Sequence, residues 1–248
     1  MFKLIVGLLF FISTSYGITI GNPADPALIE TGLIFEESPF MSFRTCYLSN
    51  YILKAKYRNL NGTEVNTSYT NYIGKAILNI MKKIDIYAYV GAARGDSTAV
   101  NNTQKITIEQ KQMITAGGGA KAIIFENKER YFWGIDAKYY RYYPSVDHVI
   151  VNGADINIDQ LQLKTWQWEF SSAVARRYRL FTPYAGISCL IARQKPSDAN
   201  QYITNAKQIN PWGLFLGTTM TYRDSFSLNA EAKFFNQIEY GVSADFRF

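Results

Sequence analysis

The chain has 248 residues, 15% of them aromatic with tyrosine alone at 18, and a formal net charge of +6. That charge excess is modest and scattered, which argues against a nucleic-acid tract. Two cysteines exclude a disulfide-stapled scaffold, and with a single histidine they leave no metal-ligand cluster.

In chain order, Lys3, the apolar run Leu4 to Ile12 and the small-x-small site Ser15-Tyr16-Gly17 read as a secretory signal peptide over 1–17. The mature chain then starts near Ile18, and 18–248 form one domain. For 18–41 the pattern leaves three readings open: an extra strand, a lumen plug or a periplasmic tail. No later stretch approaches the roughly 18 continuous apolar residues of a membrane helix, so a membrane location requires strands.

Ten segments have the length and alternation of transmembrane strands: 43–58, 67–81, 84–92, 109–125, 130–143, 160–176, 179–191, 212–223, 226–235 and 238–248. In the last, Ile238, Tyr240, Val242, Ala244, Phe246 and Phe248 share one face, while Glu239, Gly241, Ser243, Asp245 and Arg247 share the other. Connections at 82–83, 127–129, 177–178 and 224–225 are short. Those at 59–66, 93–108, 144–159 and 192–211 are long, polar and rich in Asn, Asp, Gly and Pro. Short turns on one side and long loops on the other are the asymmetry of outer-membrane barrels. The expected fold is therefore all-β: a transmembrane antiparallel up-and-down β-barrel of about ten strands, with 8–12 as the range. Tyr139, Tyr140, Tyr142, Tyr143, Trp166 and Trp168 are assigned to an outer aromatic rim. Tyr131, Trp133, Tyr178, Phe181, Tyr222, Phe226 and Phe248 are assigned to an inner one.

Two stretches resemble a known family. Gly21-Asn-Pro-Ala-Asp-Pro and the following residues to Ile34 look like the mature start of the chlamydial major outer membrane protein. Trp166-Gln167 and Tyr178-Arg-Leu-Phe-Thr-Pro-Tyr-Ala-Gly186 resemble its strand–turn–strand before the last large loop, and Gly213 to Thr219, Glu231 and Ser243 to Phe248 its closing strands. The resemblance implies a general diffusion porin and abundant surface antigen in a bacterial outer membrane. This chain is shorter than well-known members, which implies fewer strands and a narrower lumen. It is also cysteine-poor: Cys46 falls on the lumen face and Cys189 on the lipid face, an arrangement that disulfide geometry does not allow to bridge.

Catalytic constellations are missing from the sequence. His148 stands in a long loop beside Asp147, without the surrounding constellation that places a hydrolytic triad's base between an acid and a nucleophile. Gly117-Gly-Gly119 lacks the Gly-Lys-Ser/Thr ending of a phosphate loop and reads as close strand packing. The chain is therefore expected to be neither an enzyme nor a cofactor binder.

What remains is a lumen. Strand parity points Arg44, Lys54, Lys56, Lys75, Asp85, Lys121, Asp136, Lys138, Glu169, Arg223, Glu231, Lys233, Glu239, Asp245 and Arg247 inward. The basic excess favours a porin with a mild preference for anions. The alternative is a barrel filled by its own paired side chains, serving as a structural or adhesin barrel of the envelope. Phe246 and Phe248 are expected to carry the signal read by the barrel assembly machinery. Expected partners are outer-membrane lipid, that machinery, and small solutes and ions, with no nucleic acid; monomer and homotrimer both stay open.

Overall fold

The computed structural model describes residues 21–28, 40–59, 62–100, 105–143, 145–156, 162–197, 205–222 and 225–247. The expected leader over 1–17, lumen residue Arg223 and terminal Phe248 lie outside these residues.

Apolar side chains at every second position fold the chain into strands, since only an extended backbone puts alternate residues on one face. The strands are β1 (Met41–Asn59), β2 (Glu64–Ile80), β3 (Ile84–Val100), β4 (Lys105–Gln110), β5 (Met113–Glu126), β6 (Tyr131–Tyr142) and β7 (Val146–Val151). They continue with β8 (Ala154–Ile156), β9 (Leu163–Arg176), β10 (Phe181–Pro196), β11 (Ala206–Gln208), β12 (Trp212–Tyr222), β13 (Phe226–Phe234) and β14 (Gln237–Arg247). Ten of these, β1, β2, β3, β5, β6, β9, β10, β12, β13 and β14, pair antiparallel with their neighbours in that order. β14 returns to β1 from Arg44↔Arg247 to Ala55↔Gln237, which closes the sheet into a barrel and removes its edges. The ten strands expected from the sequence are these ten.

One end of the barrel carries tight turns. At the β2–β3 turn Met81 and Lys82 both adopt positive φ (53° and 56°), the twist that matches right-handed strands. Asn79 Oδ1 accepts the Lys82 amide at 3.1 Å and holds that turn. At the opposite end the sheet continues beyond the barrel. β3 runs on to Val100 and pairs with β4, β4 pairs with β7, and β7 turns into β8. Ile108, Val146, Val149 and Leu163 bury a separate small core in this extension, with Ile106 and Val151 packed against it. The expectation of polar loops over 93–108 and 144–159 is corrected accordingly: β-branched residues at alternate positions give these stretches a strand face despite their polar neighbours.

The barrel's outer surface is apolar. Val90, Ile114, Val174 and Leu216 are each more than half exposed, an arrangement that water would penalise and a lipid tail would not. Among the aromatics, Tyr131, Trp133, Tyr178, Phe181 and Tyr222 ring the tight-turn end on the outside. The outer-rim assignment holds for Tyr143 and Trp168, which are exposed. Tyr140 and Tyr142 correct it, because they fall on inward parity and are buried at 1% and 3% exposure.

A second correction concerns β1. Its register against β14 shifts between Ile52 and Lys54, a β-bulge that leaves Leu53 as the extra residue. Up to Ile52 the even-numbered positions face inward; beyond it Ala55 and Tyr57 do. Lys54 and Lys56 therefore lie exposed on the outer surface and do not line the lumen, because one inserted residue reverses every side chain that follows.

The triple glycine of β5 has a packing role. A Cβ at Gly119 would sit 2.6 Å from the Tyr87 hydroxyl, and one at Gly117 would sit 2.6 Å from the Tyr89 hydroxyl. The neighbouring strand crowds the same positions, with the Tyr139 carbonyl closer still to a Cβ at Gly117 and the Ala137 carbonyl closer still to one at Gly119. Gly119→Val should push the Tyr87 ring off its seat and cost about 1–3 kcal/mol, the usual penalty of overpacking. The lipid-facing Ala120→Val should fall within about 0.5 kcal/mol of the parent. Urea midpoints of the refolded barrel in detergent check both.

Candidate functional site

Twelve predicted lumen residues lie on the inner face: Arg44, Lys75, Lys121, Lys138, Lys233 and Arg247 against Asp85, Asp136, Glu169, Glu231, Glu239 and Asp245. These are six bases and six acids. With Lys54 and Lys56 outside, the predicted basic excess is absent among the described lumen residues, and with it the basis for anion preference.

At the tight-turn end the interior is occupied by the chain's own N-terminal segment. Residues 21–28 enter the barrel and form one helical turn, α1 (Asp25–Leu28). Asn22, Ala24 and Leu28 are almost fully buried, the two apolar ones among Ile123, Phe132, Ala173, Ala175, Tyr184 and Phe215. The segment is also tied by polar bonds to six strands. Asn22 Nδ2 donates to the Thr182 carbonyl at 2.9 Å and to Thr219 Oγ1 at 3.0 Å. The Gly21 amide donates to Glu231 at 2.9 Å. Lys121 Nζ bonds both the Asn22 carbonyl (3.1 Å) and Asp25 (2.7 Å). Asn79 donates to the Pro26 carbonyl at 3.1 Å, and Arg44 reaches the Asp25 carbonyl at 3.3 Å. Residues 21–28, the described part of 18–39, thus lie inside the barrel.

Above the plug lies an ionic layer. Glu169 receives Lys138 at 3.0 Å and is also bonded by Lys233, which in turn stands 3.8 Å from Glu239. Arg44 pairs with Asp85, and Asn79 supports that carboxylate at 2.7 Å. The Tyr87 hydroxyl donates to Asp136 at 2.5 Å, and Lys75 Nζ lies 3.7 Å above the Tyr87 ring. Each charge is sheltered from water, so each needs a partner within the barrel.

Nearest the extension is an uncharged layer. Tyr57, Tyr69, Tyr140 and Tyr142 converge on Gln167. Its Nδ-equivalent amide nitrogen, Nε2, donates to the Tyr69 hydroxyl at 2.9 Å and lies 3.3 Å from that of Tyr57 and 3.4 Å from that of Tyr142, while Tyr140 donates to Oε1. Leu48, Ile52, Ile73 and Leu190 pack around the cluster. Sequence parity missed Tyr57 because of the bulge, and missed Tyr140 and Tyr142 because an aromatic run at a strand end reads as a girdle. Three stacked layers thus fill the barrel among the described residues.

Two other predicted features stand outside this interior. His148 lies on exposed β7, where Nδ1 is 3.0 Å from Asp155. Cys46 is buried on the inner face and Cys189 half-buried on the outer face, and both are free thiols.

No family model and no curated protein matches the chain. Among solved structures it is similar to the translocator domain of the autotransporter NalP from Neisseria meningitidis, at 10% identity and a TM-score of 0.48 over 91% of this chain and 92% of that one. It is also similar to the outer membrane protease OmpT from Escherichia coli, at 9% identity and a TM-score of 0.48 over 83% and 97%. A third is the CymD monoaromatic hydrocarbon channel, at 10% identity and a TM-score of 0.27 over 93% and 94%. None transfers a role to this chain. One expectation is nevertheless corrected: with a protease among the similar barrels, the sequence-based exclusion of enzymatic activity does not stand, and at 9% identity no activity is assigned either.

The ionic layer makes a direct prediction. Glu169→Ala leaves Lys138 and Lys233 as buried cations without their shared carboxylate. That should cost about 3–5 kcal/mol, the penalty for removing one member of a buried pair. Adding Lys138→Met, which leaves Lys233 to face Glu239 at 3.8 Å, should recover part of it. Urea unfolding of the refolded proteins, followed by loss of heat-modifiable migration, measures both.

Proposed function

We propose that this chain is a non-conducting outer-membrane barrel whose working part is the β3–β4–β7–β8 sheet it holds beyond the lipid. The filled interior carries this reading. A porin needs a continuous wet path, whereas the plug, the ion layer and the tyrosine layer occupy the barrel from one end to the other among the described residues. The buried core of the extension supports the second half, since a sheet with its own apolar cluster is a rigid platform for surface contact.

The finer assignments belong to the same proposal. They are export by the leader over 1–17, insertion by an assembly machinery that reads Phe246 and Phe248, and kinship with the chlamydial major outer membrane proteins. The porin activity implied by that resemblance is the reading the interior supports less.

Purified protein refolded from the full mature chain and added to planar bilayers decides between them. The expected result is insertion, seen as protease-protected and heat-modifiable protein, with no steady unitary current. Reproducible conductance steps from the same preparation would overturn the non-conducting reading and restore the porin.

A further inference from the structure

On the outer surface at the long-connection end, cations from separate strands meet in one transverse row. Strand register places Arg58 of β1 opposite Lys207 of β11, Lys207 opposite Arg193 of β10, Arg193 opposite Trp166 of β9, and Trp166 opposite Arg141 of β6. All four cations are exposed on the outer face. A second like-charged pair, Lys195 opposite Lys164, stands next to it.

Side chains directly opposite in a sheet have Cβ atoms about 5 Å apart, and like charges there repel. Arg58–Lys207–Arg193 repeats that arrangement across three successive strands. Within the row Arg193 lies over the Trp166 ring at 5.1 Å, and Arg58 has Glu64 at 3.8 Å on the far side from Lys207. Among the described residues no acid stands between the cations, so their repulsion is relieved best by an anion that bridges them.

The height of the row identifies the anion. Along β10 the last exposed apolar residue is Ile191, and Arg193 is the next outward position. Along β9 the exposed Trp168 precedes the row at Trp166, and Tyr139 of β6, packed on Trp168 at 4.7 Å, precedes Arg141. The cations therefore stand immediately past the lipid-facing band and its aromatic girdle, at the depth of lipid headgroups. Guanidinium groups suit phosphate oxygens because they donate in pairs.

We infer that this row is a binding site for the phosphate groups of a phosphorylated lipid in the leaflet on the long-connection side, with the acyl chains lying against the apolar wall below it. The inference rests on the membrane-spanning reading and is independent of whether the barrel conducts. The bulge in β1 contributes to it, since the reversed parity that removes Lys54 and Lys56 from the lumen also turns Arg58 outward.

Full mature protein refolded into phosphatidylcholine nanodiscs doped with bis-phosphorylated lipid A, then released into detergent for native mass spectrometry, tests the site. Wild type should retain lipid A. The triple variant R141Q/R193Q/K207Q should retain on the order of a hundredfold less, since each cation near an anionic headgroup layer is worth about fivefold in affinity. K82Q/K83Q/K128Q, which removes three charges from the opposite rim, should retain it like wild type, and heat-modifiable migration confirms that each variant is folded. Should the triple variant fail that check, K207Q alone, expected to lose about fivefold, replaces it. Equal retention of lipid A stripped of its phosphates, or equal loss in both triple variants, would overturn the site. Full displacement of lipid A by millimolar inorganic phosphate would make free phosphate the ligand and overturn the lipid assignment. Bilayer conductance is a separate readout, so either reading can fail without the other.

Discussion

A closed barrel in lipid satisfies its backbone completely between neighbouring strands, but it transfers the whole polar problem to its interior. Among the described residues, twelve charged side chains of the wall project into this barrel, and a lumen without bulk water can hold them only in pairs or networks. The central interaction is Glu169 held between Lys138 and Lys233, with Glu239 beyond. It ties β6, β9, β13 and β14 together across the lumen. The plug below is fastened by the same means, since Lys121 and Glu231 on the wall bind the segment at Asp25 and Gly21. The layers on either side exclude the water that would weaken those bonds.

Much of the fold was legible because a membrane barrel enforces period-two alternation along every strand. The polar face of β14, from Glu239 to Arg247, shows where its charges point without reference to any other strand. What was hidden is equally specific. The bulge at Leu53 has no local signature, because Ile52-Leu53-Lys54 reads as an ordinary continuation of the strand, yet it moves two lysines from the lumen to the surface and brings Tyr57 inward. Tyr140 and Tyr142 share composition with a girdle and differ from it only in parity. From 21–28 a plug was one of three open readings and could not be singled out, since its contacts reach residues about 20 to 210 positions away. Ile106 and Ile108 were hidden by polar neighbours, although their β-branched spacing was the available clue, as was the run Val149-Ile150-Val151.

These corrections act in one direction. Removing Lys54 and Lys56 balances the inner charges. Adding Tyr57, Tyr140 and Tyr142 fills the space above them, and inserting Asn22 to Leu28 fills the space below. A sequence that read as a basic pore therefore folds as a packed barrel whose basic surplus lies on the outside, where cations flank the apolar wall. Interior and exterior charge are linked through a single residue insertion in β1, which turns Lys54, Lys56 and Arg58 outward and Tyr57 inward.

The native thiol of Cys46, buried at 6% exposure on the inner face, offers the most direct test of the filled interior. In the Cys189→Ser protein, folded in lipid and exposed to a small charged methanethiosulfonate reagent, Cys46 should remain unmodified until the barrel is unfolded. Rapid modification in the folded state would mean that water and ions reach the inner wall, and would contradict the account.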